Sequence, residues 1–162
     1  MTQPATHTLP DTLADLLEVA VNDMNSLDRD RYLPNSLMWH SGTDREDSVC
    51  EVCLGGAALA GSLGMDRSTP NGTADTIIRF GLNGNKIRAL DALRCGDIRT
   101  AAYTLNWHPD SIALAQAFEQ REEMWELRSD LAAVSSFYTW EHWDNAEPRY
   151  RRLIDLLRTH NL

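Results

Sequence analysis

The sequence predicts an all-α protein, a single-domain bundle of six or seven helices with long loops at about 28–47 and 64–75. Three observations predict it. Apolar residues recur at three- and four-residue spacing through most of the chain, no alternating run of convincing strand length occurs, and Gly, Pro, Asn or Asp punctuate the periodic segments. At 162 residues, 43% of them apolar and 24% charged, the chain suits one domain, 1–162, with its own core. Residues 1–8 carry no periodicity and are expected to be flexible.

The first helix is the clearest. Leu13, Leu16, Leu17, Ala20, Val21, Met24 and Leu27 share one face, with Thr8 and Asp11 as the expected cap and Pro10 in the first turn. Residues 28–47 have no period and read as a loop. Ser48 with Glu51 three positions on has the form of a capping box, so a helix is expected from Ser48 to Leu63, stopped by Gly64. That helix would carry Gly55, Gly56 and Gly61. Each Gly costs up to about 1 kcal/mol against Ala, which close approach of another backbone would explain. Such a stripe could pack within the monomer or across a homodimer.

After a turn-rich loop containing Pro70, Asn71 and Gly72, the segment 76–82 is apolar and ambiguous between helix and strand. Asn85 starts a helix with Ile87, Leu90 and Leu93 inward, ending at Gly96. Asp97 caps another, bearing Ile98, Ala101, Ala102 and Leu105, which Trp107-His108-Pro109 breaks. Asp110 or Ser111 opens the longest helical stretch, to about Trp143, with a candidate break at Ser129-Asp130. Its apolar side takes Leu114, Ala117, Phe118, Met124 or Trp125, Leu127, Leu131, Val134 and Phe137. The last helix is expected to start near Pro148, capped from 144–147, with Tyr150, Leu153, Ile154 and Leu157 inward.

Charge narrows the function. The formal net charge is −9, with ten acids against three arginines in residues 1–60. Such a chain repels phosphate, so direct nucleic-acid and anionic-membrane binding are disfavoured and a basic protein surface is the favoured partner. The N-terminus lacks the pattern of a secretory signal, and the least polar stretch, 52–65, is too short for a bilayer span. Three cysteines do not make a disulfide framework, and free thiols point to the cytoplasm.

Candidate chemistry is sparse. Cys50 and Cys53, with Cys95 and His40, could form a tetrahedral zinc site, although buried cysteine acting as a small hydrophobe explains them as well. Gly56 to Ser62 has the outline of a phosphate-binding loop without its Lys, and Gly61-Ser62-Leu63-Gly64 lacks one Gly of a nucleophile elbow. Three clusters set Trp beside His: Trp39-His40, Trp107-His108 and Trp140-Glu141-His142-Trp143. The first two are expected to anchor loops to the core. Trp140 and Trp143 are the surface candidates, since Trp supplies much interface energy.

Glu119, Glu122, Glu123, Glu126 and Asp130 fall at i, i+3, i+4, i+7 and i+11, which one helix would gather into an acidic stripe. It admits three readings. A solvated face, or pairing with Arg149, Arg151 and Arg152, is the plainest. Recognition of a basic partner is the second. The third is metal: Glu122-Glu123-Met124-Trp125-Glu126 followed by Glu141-His142-Trp143-Asp144 resembles the Glu-x-x-Glu … Glu-x-x-Asp signature of all-α nucleotide pyrophosphohydrolases, the MazG and dimeric dUTPase group. That resemblance implies a Mg²⁺-dependent nucleoside triphosphate pyrophosphohydrolase with Glu123, Glu126, Glu141 and Asp144 as ligands. A second resemblance rests on Tyr32-Leu33-Pro34-Asn35, Trp39-His40 and Cys50 through Ala57. This pattern resembles uncharacterised small proteins encoded by bacteriophages, which implies action on a host factor. The leading expectation is a non-enzymatic interaction protein without a cofactor. Its partner-binding surface would be Glu119, Glu122, Glu123, Glu126, Asp130, Trp140 and Trp143.

Overall fold

Thr12 starts the first helix, in extended conformation, with its hydroxyl accepting the Asp15 N–H at 3.3 Å. Helix α1 (Leu13–Ser26) buries the face the spacing marks, from Leu13 to Met24, but the cap is Thr12 rather than Thr8 and Asp11. The computed structural model describes residues 8–35, 38–42 and 49–162; the expectation for 1–8 therefore lies, save Thr8, outside the described residues.

The all-α expectation needs correcting. Strands β1 (Tyr32–Pro34), β2 (Trp39–Ser41) and β3 (Cys50–Val52) form a small sheet in the order β1-β3-β2. β1 runs parallel to β3, pairing Tyr32 with Cys50, and β2 runs antiparallel to it, pairing Trp39 with Val52. Cys50 and Val52 face the core while Glu51 points outward. The expected capping box thus fails at its Glu, which sits on a strand; Ser48 lies outside the described residues.

Helix α2 (Leu54–Ala60) is correspondingly short, and the chain turns through Gly64 at φ +70°. Its glycines do serve close approach. A Cβ on Gly56 would lie 1.7 Å from the Met38 carbonyl oxygen, and one on Gly55 2.7 Å from the Met38 sulfur. The small-residue face is therefore used within the chain, against the segment that enters β2.

Helix α3 (Asn71–Phe80) makes the ambiguous segment 76–82 helical as far as Phe80, with Gly81 extended beyond it, and shortens the expected loop at 64–75. Helices α4 (Gly84–Arg94) and α5 (Ile98–Leu105) follow; Gly96 turns between them at φ +75°, and Asp97 caps α5 by accepting the Thr100 N–H. Pro109 sits in the first turn of α6 (Pro109–Glu119), with His108 as the cap.

The long stretch expected from 110 to 143 is α6, α7 (Glu122–Val134) and the first turn of a further helix, broken at Gln120–Arg121 and again after Val134, and not at 129–130. Arg121 is extended (ψ 143°), which ends one helix and caps the next. Helix α8 (Trp140–Thr159) begins eight residues before Pro148, capped by Thr139, whose hydroxyl accepts the His142 N–H. The helix passes through Pro148 despite one lost backbone bond, because Trp143, Ala146, Tyr150, Leu153, Ile154 and Leu157 are all buried on one side. Eight helices, against the six or seven expected, and one small sheet make up the described residues.

Helix α1 lies against α2, α4 and α8, and α4 packs on α5, and all eight helices contribute buried residues to one core. Phe137, Trp143 and Tyr150 form an aromatic cluster where α8 meets the end of α7, with Trp143 stacked on Tyr150 at 5.8 Å and edge-on to Phe137 at 5.4 Å. Among the described residues no helix is long and apolar enough to cross a membrane.

Candidate functional site

The acidic stripe divides at the α6–α7 break. Glu119 ends α6, and its carboxylate accepts the Arg99 N–H at 3.0 Å, satisfying a donor of the first turn of α5. It is not part of one continuous ridge. Glu122, Glu123, Glu126 and Asp130 belong to α7 and are all exposed.

Local helix physics accounts for some of them. Glu122 and Glu123 occupy the first turn, where an acid gains roughly 0.3–1 kcal/mol from the helix dipole. Glu123 also lies 3.6 Å from the Arg121 guanidinium. Glu126 and Asp130 lie beyond the first turn. Glu122, Glu126 and Asp130 follow at four-residue spacing, a repulsive arrangement costing about 0.2–0.5 kcal/mol per pair. Among the described residues none of these three is within ion-pair distance of a cation. Of the arginines considered as internal partners, Arg149 and Arg151 are engaged elsewhere, and Arg152 is exposed and forms no ion pair among the described residues. Arg151 holds Glu147 at 3.3 Å and Asn22 at 2.8 Å, and Arg149 donates to Asn145.

The tryptophans are rearranged relative to expectation. Trp143 is fully buried, with its indole N–H donating to Asn25 at 2.8 Å, and so offers nothing to a partner. Trp140 is half-buried: its N–H donates to the Tyr32 carbonyl at 3.0 Å and the Arg29 guanidinium lies 4.6 Å over its ring. Trp39 is buried as expected, but Trp107 is 73% exposed and does not anchor to the core.

The tryptophan that α7 does expose is Trp125, 65% exposed and flanking the acidic row on the Glu122 side. Its position is legible after the fact. Met124, Leu127, Leu131 and Val134 complete the apolar face at spacings of three, four and three, so Trp125, about 100° round the helix from Met124, falls outside it.

Neither metal set assembles. Asp144 forms a bidentate pair with Arg29 at 2.7 and 2.9 Å, which holds its carboxyl below the usual range. The Mg²⁺ set of Glu123, Glu126, Glu141 and Asp144 therefore loses a ligand. Among the described residues no group of three or more His, Cys, Asp or Glu side chains is placed to hold a metal ion. The zinc set fails for a different reason. Cys50 is on β3 and Cys53 caps α2, so the two do not share a helical face; both are buried, whereas Cys95 is exposed. Burial pushes the Cys50 thiol up to about 12 and also raises Cys53, so both stay protonated and act as small hydrophobes. His40 lies 3.6 Å from Glu51, on the outer side of the sheet from Cys50.

Comparison with protein-family models, curated proteins and solved structures finds no match. The functional reading therefore rests on the surface of α7.

Proposed function

We propose that the protein is an interaction module whose α7 face docks a basic segment of a protein partner. One observation carries this reading: Glu122, Glu126 and Asp130 form an exposed row with no ion-paired cation among the described residues, and the exposed Trp125 flanks that row beside Glu122. The acids would steer a cationic surface toward the helix, while the indole would supply contact area and accept an Arg or Lys over its face. The resemblance to small phage-encoded proteins makes a host factor the kind of partner to expect.

The test uses a defined probe, a Lys- and Arg-rich amphipathic helical peptide, titrated into the full chain at low and high salt. Glu122→Gln/Glu126→Gln/Asp130→Asn is expected to weaken binding roughly fivefold or more at 50 mM salt. That difference should shrink toward nothing near 0.5 M, as screening predicts. Trp125→Ala is expected to weaken binding at both salt concentrations. Equal affinity of wild type and the triple variant at low salt would remove α7 as the docking face, as would equal binding of an acidic control peptide.

A further inference from the structure

A second surface, which spans the α6–α7 break, has a different chemistry. The N-terminal turn of α5, the end of α6 and the side of α7 bound an open cleft of about 360 Å³ lined by Asp97, Arg99, Thr100, Tyr103, Glu119 and Arg128. It continues past Arg99 and Glu119 along α6 into a second hollow of about 400 Å³. These volumes are in the range of small-molecule sites.

The charges of this cleft are not paired with one another. Asp97 is committed to the first turn of α5, accepting the Thr100 N–H at 3.1 Å and the Thr100 hydroxyl at 2.7 Å. Glu119 is committed to the Arg99 N–H. The guanidiniums of Arg99 and Arg128 form no ion pair with any described residue, whereas nine other Arg and Lys contacts with carboxylates lie within 3.6 Å. The Arg128 stem passes beside the α4–α5 turn, where a Cβ added to Gly96 would lie 3.6 Å from Arg128 Cγ. Tyr103 on the cleft wall is 47% exposed and lies 4.9 Å from the ring of Trp107.

We infer that this cleft binds a nucleoside monophosphate, with the phosphate between the forks of Arg99 and Arg128 and the base on the Tyr103 ring. Guanidinium forks match a phosphate in geometry and charge, and an exposed aromatic ring supplies a stacking platform. Asp97 and Glu119 balance the two arginines, so the cleft exerts little long-range pull on a polyanion. It suits one phosphate held at short range, in a chain whose net charge of −9 repels nucleic-acid polymers.

The experiment is a ¹H–¹⁵N NMR titration of the full chain with AMP, and with adenosine and inorganic phosphate separately. AMP is expected to give saturable shifts at the Arg99 and Arg128 side-chain N–H groups, and shifts at the Trp107 indole. Each fragment alone should bind at least about tenfold more weakly, as loss of either contact set implies. Arg99→Gln/Arg128→Gln is expected to lose about tenfold or more in AMP affinity. Arg152→Gln, which removes another exposed arginine without an ion pair, should leave it unchanged. No saturation by AMP up to about 5 mM would overturn the inference, and so would inorganic phosphate or citrate binding as tightly as AMP, or an equal loss on Arg152→Gln.

Discussion

At Gly56 the fold leaves no space for a side chain. The obstruction is a backbone oxygen, the Met38 carbonyl, so it cannot be relieved by a rotamer change. Gly56→Ala is expected to destabilise the protein by about 2 kcal/mol or more, the cost of overpacking a core. Gly72→Ala, where nothing lies within 4 Å, should gain about 0.5–1 kcal/mol from helix propensity. Urea unfolding of both variants checks the contrast, and a neutral Gly56→Ala would mean that the segment at Met38 moves freely. The tryptophans make a second contrast. Trp143→Ala is expected to cost about 3–5 kcal/mol, and Trp125→Ala to stay within about 0.5 kcal/mol. The same unfolding curves decide it; comparable losses would mean that Trp125 is packed and α7 presents no aromatic. Sequence spacing could identify Trp125 as outward because four neighbours define the inner face. It could not identify Trp143 as inward, because the face of α8 is only visible once its start at Trp140, rather than Pro148, is known.

Elements were most legible where a helix carried several periodic apolar residues, as in α1, α4 and α5. Strands of three residues are too short to display alternation, so β1, β2 and β3 left no usable pattern, and Cys50-Glu51 passed for the start of a helix. The α6–α7 break is equally hidden: Gln120 and Arg121 are ordinary helix formers by propensity, yet Arg121 is extended. That break decides how the acidic residues divide between the two surfaces. The joint between α1 and α2 has its own electrostatic signature. Asp23 accepts the Ser62 N–H at 3.0 Å and the Ser62 hydroxyl at 2.6 Å, and burial raises its pKa. A raised carboxyl favours the folded state when protonated. Its favourable contribution is complete below the unfolded value, about 3.9, and fades as pH rises through the higher folded value. Asp23→Asn keeps an acceptor for the Ser62 N–H without the buried charge. The stability of Asp23→Asn relative to wild type is therefore expected to rise between pH 3.5 and pH 7, measured by urea unfolding at both. A difference that falls over that range would show that the Ser62 bonds outweigh the burial of the charge.

In the whole molecule, α1 and α8 are joined by a polar seam outside their buried faces. Arg158 reaches Asp15 at 2.9 Å and Glu18 at 3.3 Å, Arg151 reaches Asn22, and Asn25 receives the Trp143 N–H while donating to Glu147 at 2.8 Å. This seam occupies two arginines of α8: Arg158 pairs with Asp15 and Glu18 of α1 and Arg151 with Glu147 of its own helix, so neither pairs with the α7 acids. Sequence reading could find the acids and the arginines, but only the packing of helices distant in the chain determines which meet. The same seam bears on synthesis. Asn25 and Trp143 are 118 positions apart. At about 5–20 residues per second, α1 leaves the ribosome roughly 6–24 s before the helix that covers it. Throughout that interval the leucine face of α1 lacks the cover that α8 supplies, and only α2 and α4 are at hand to shield it.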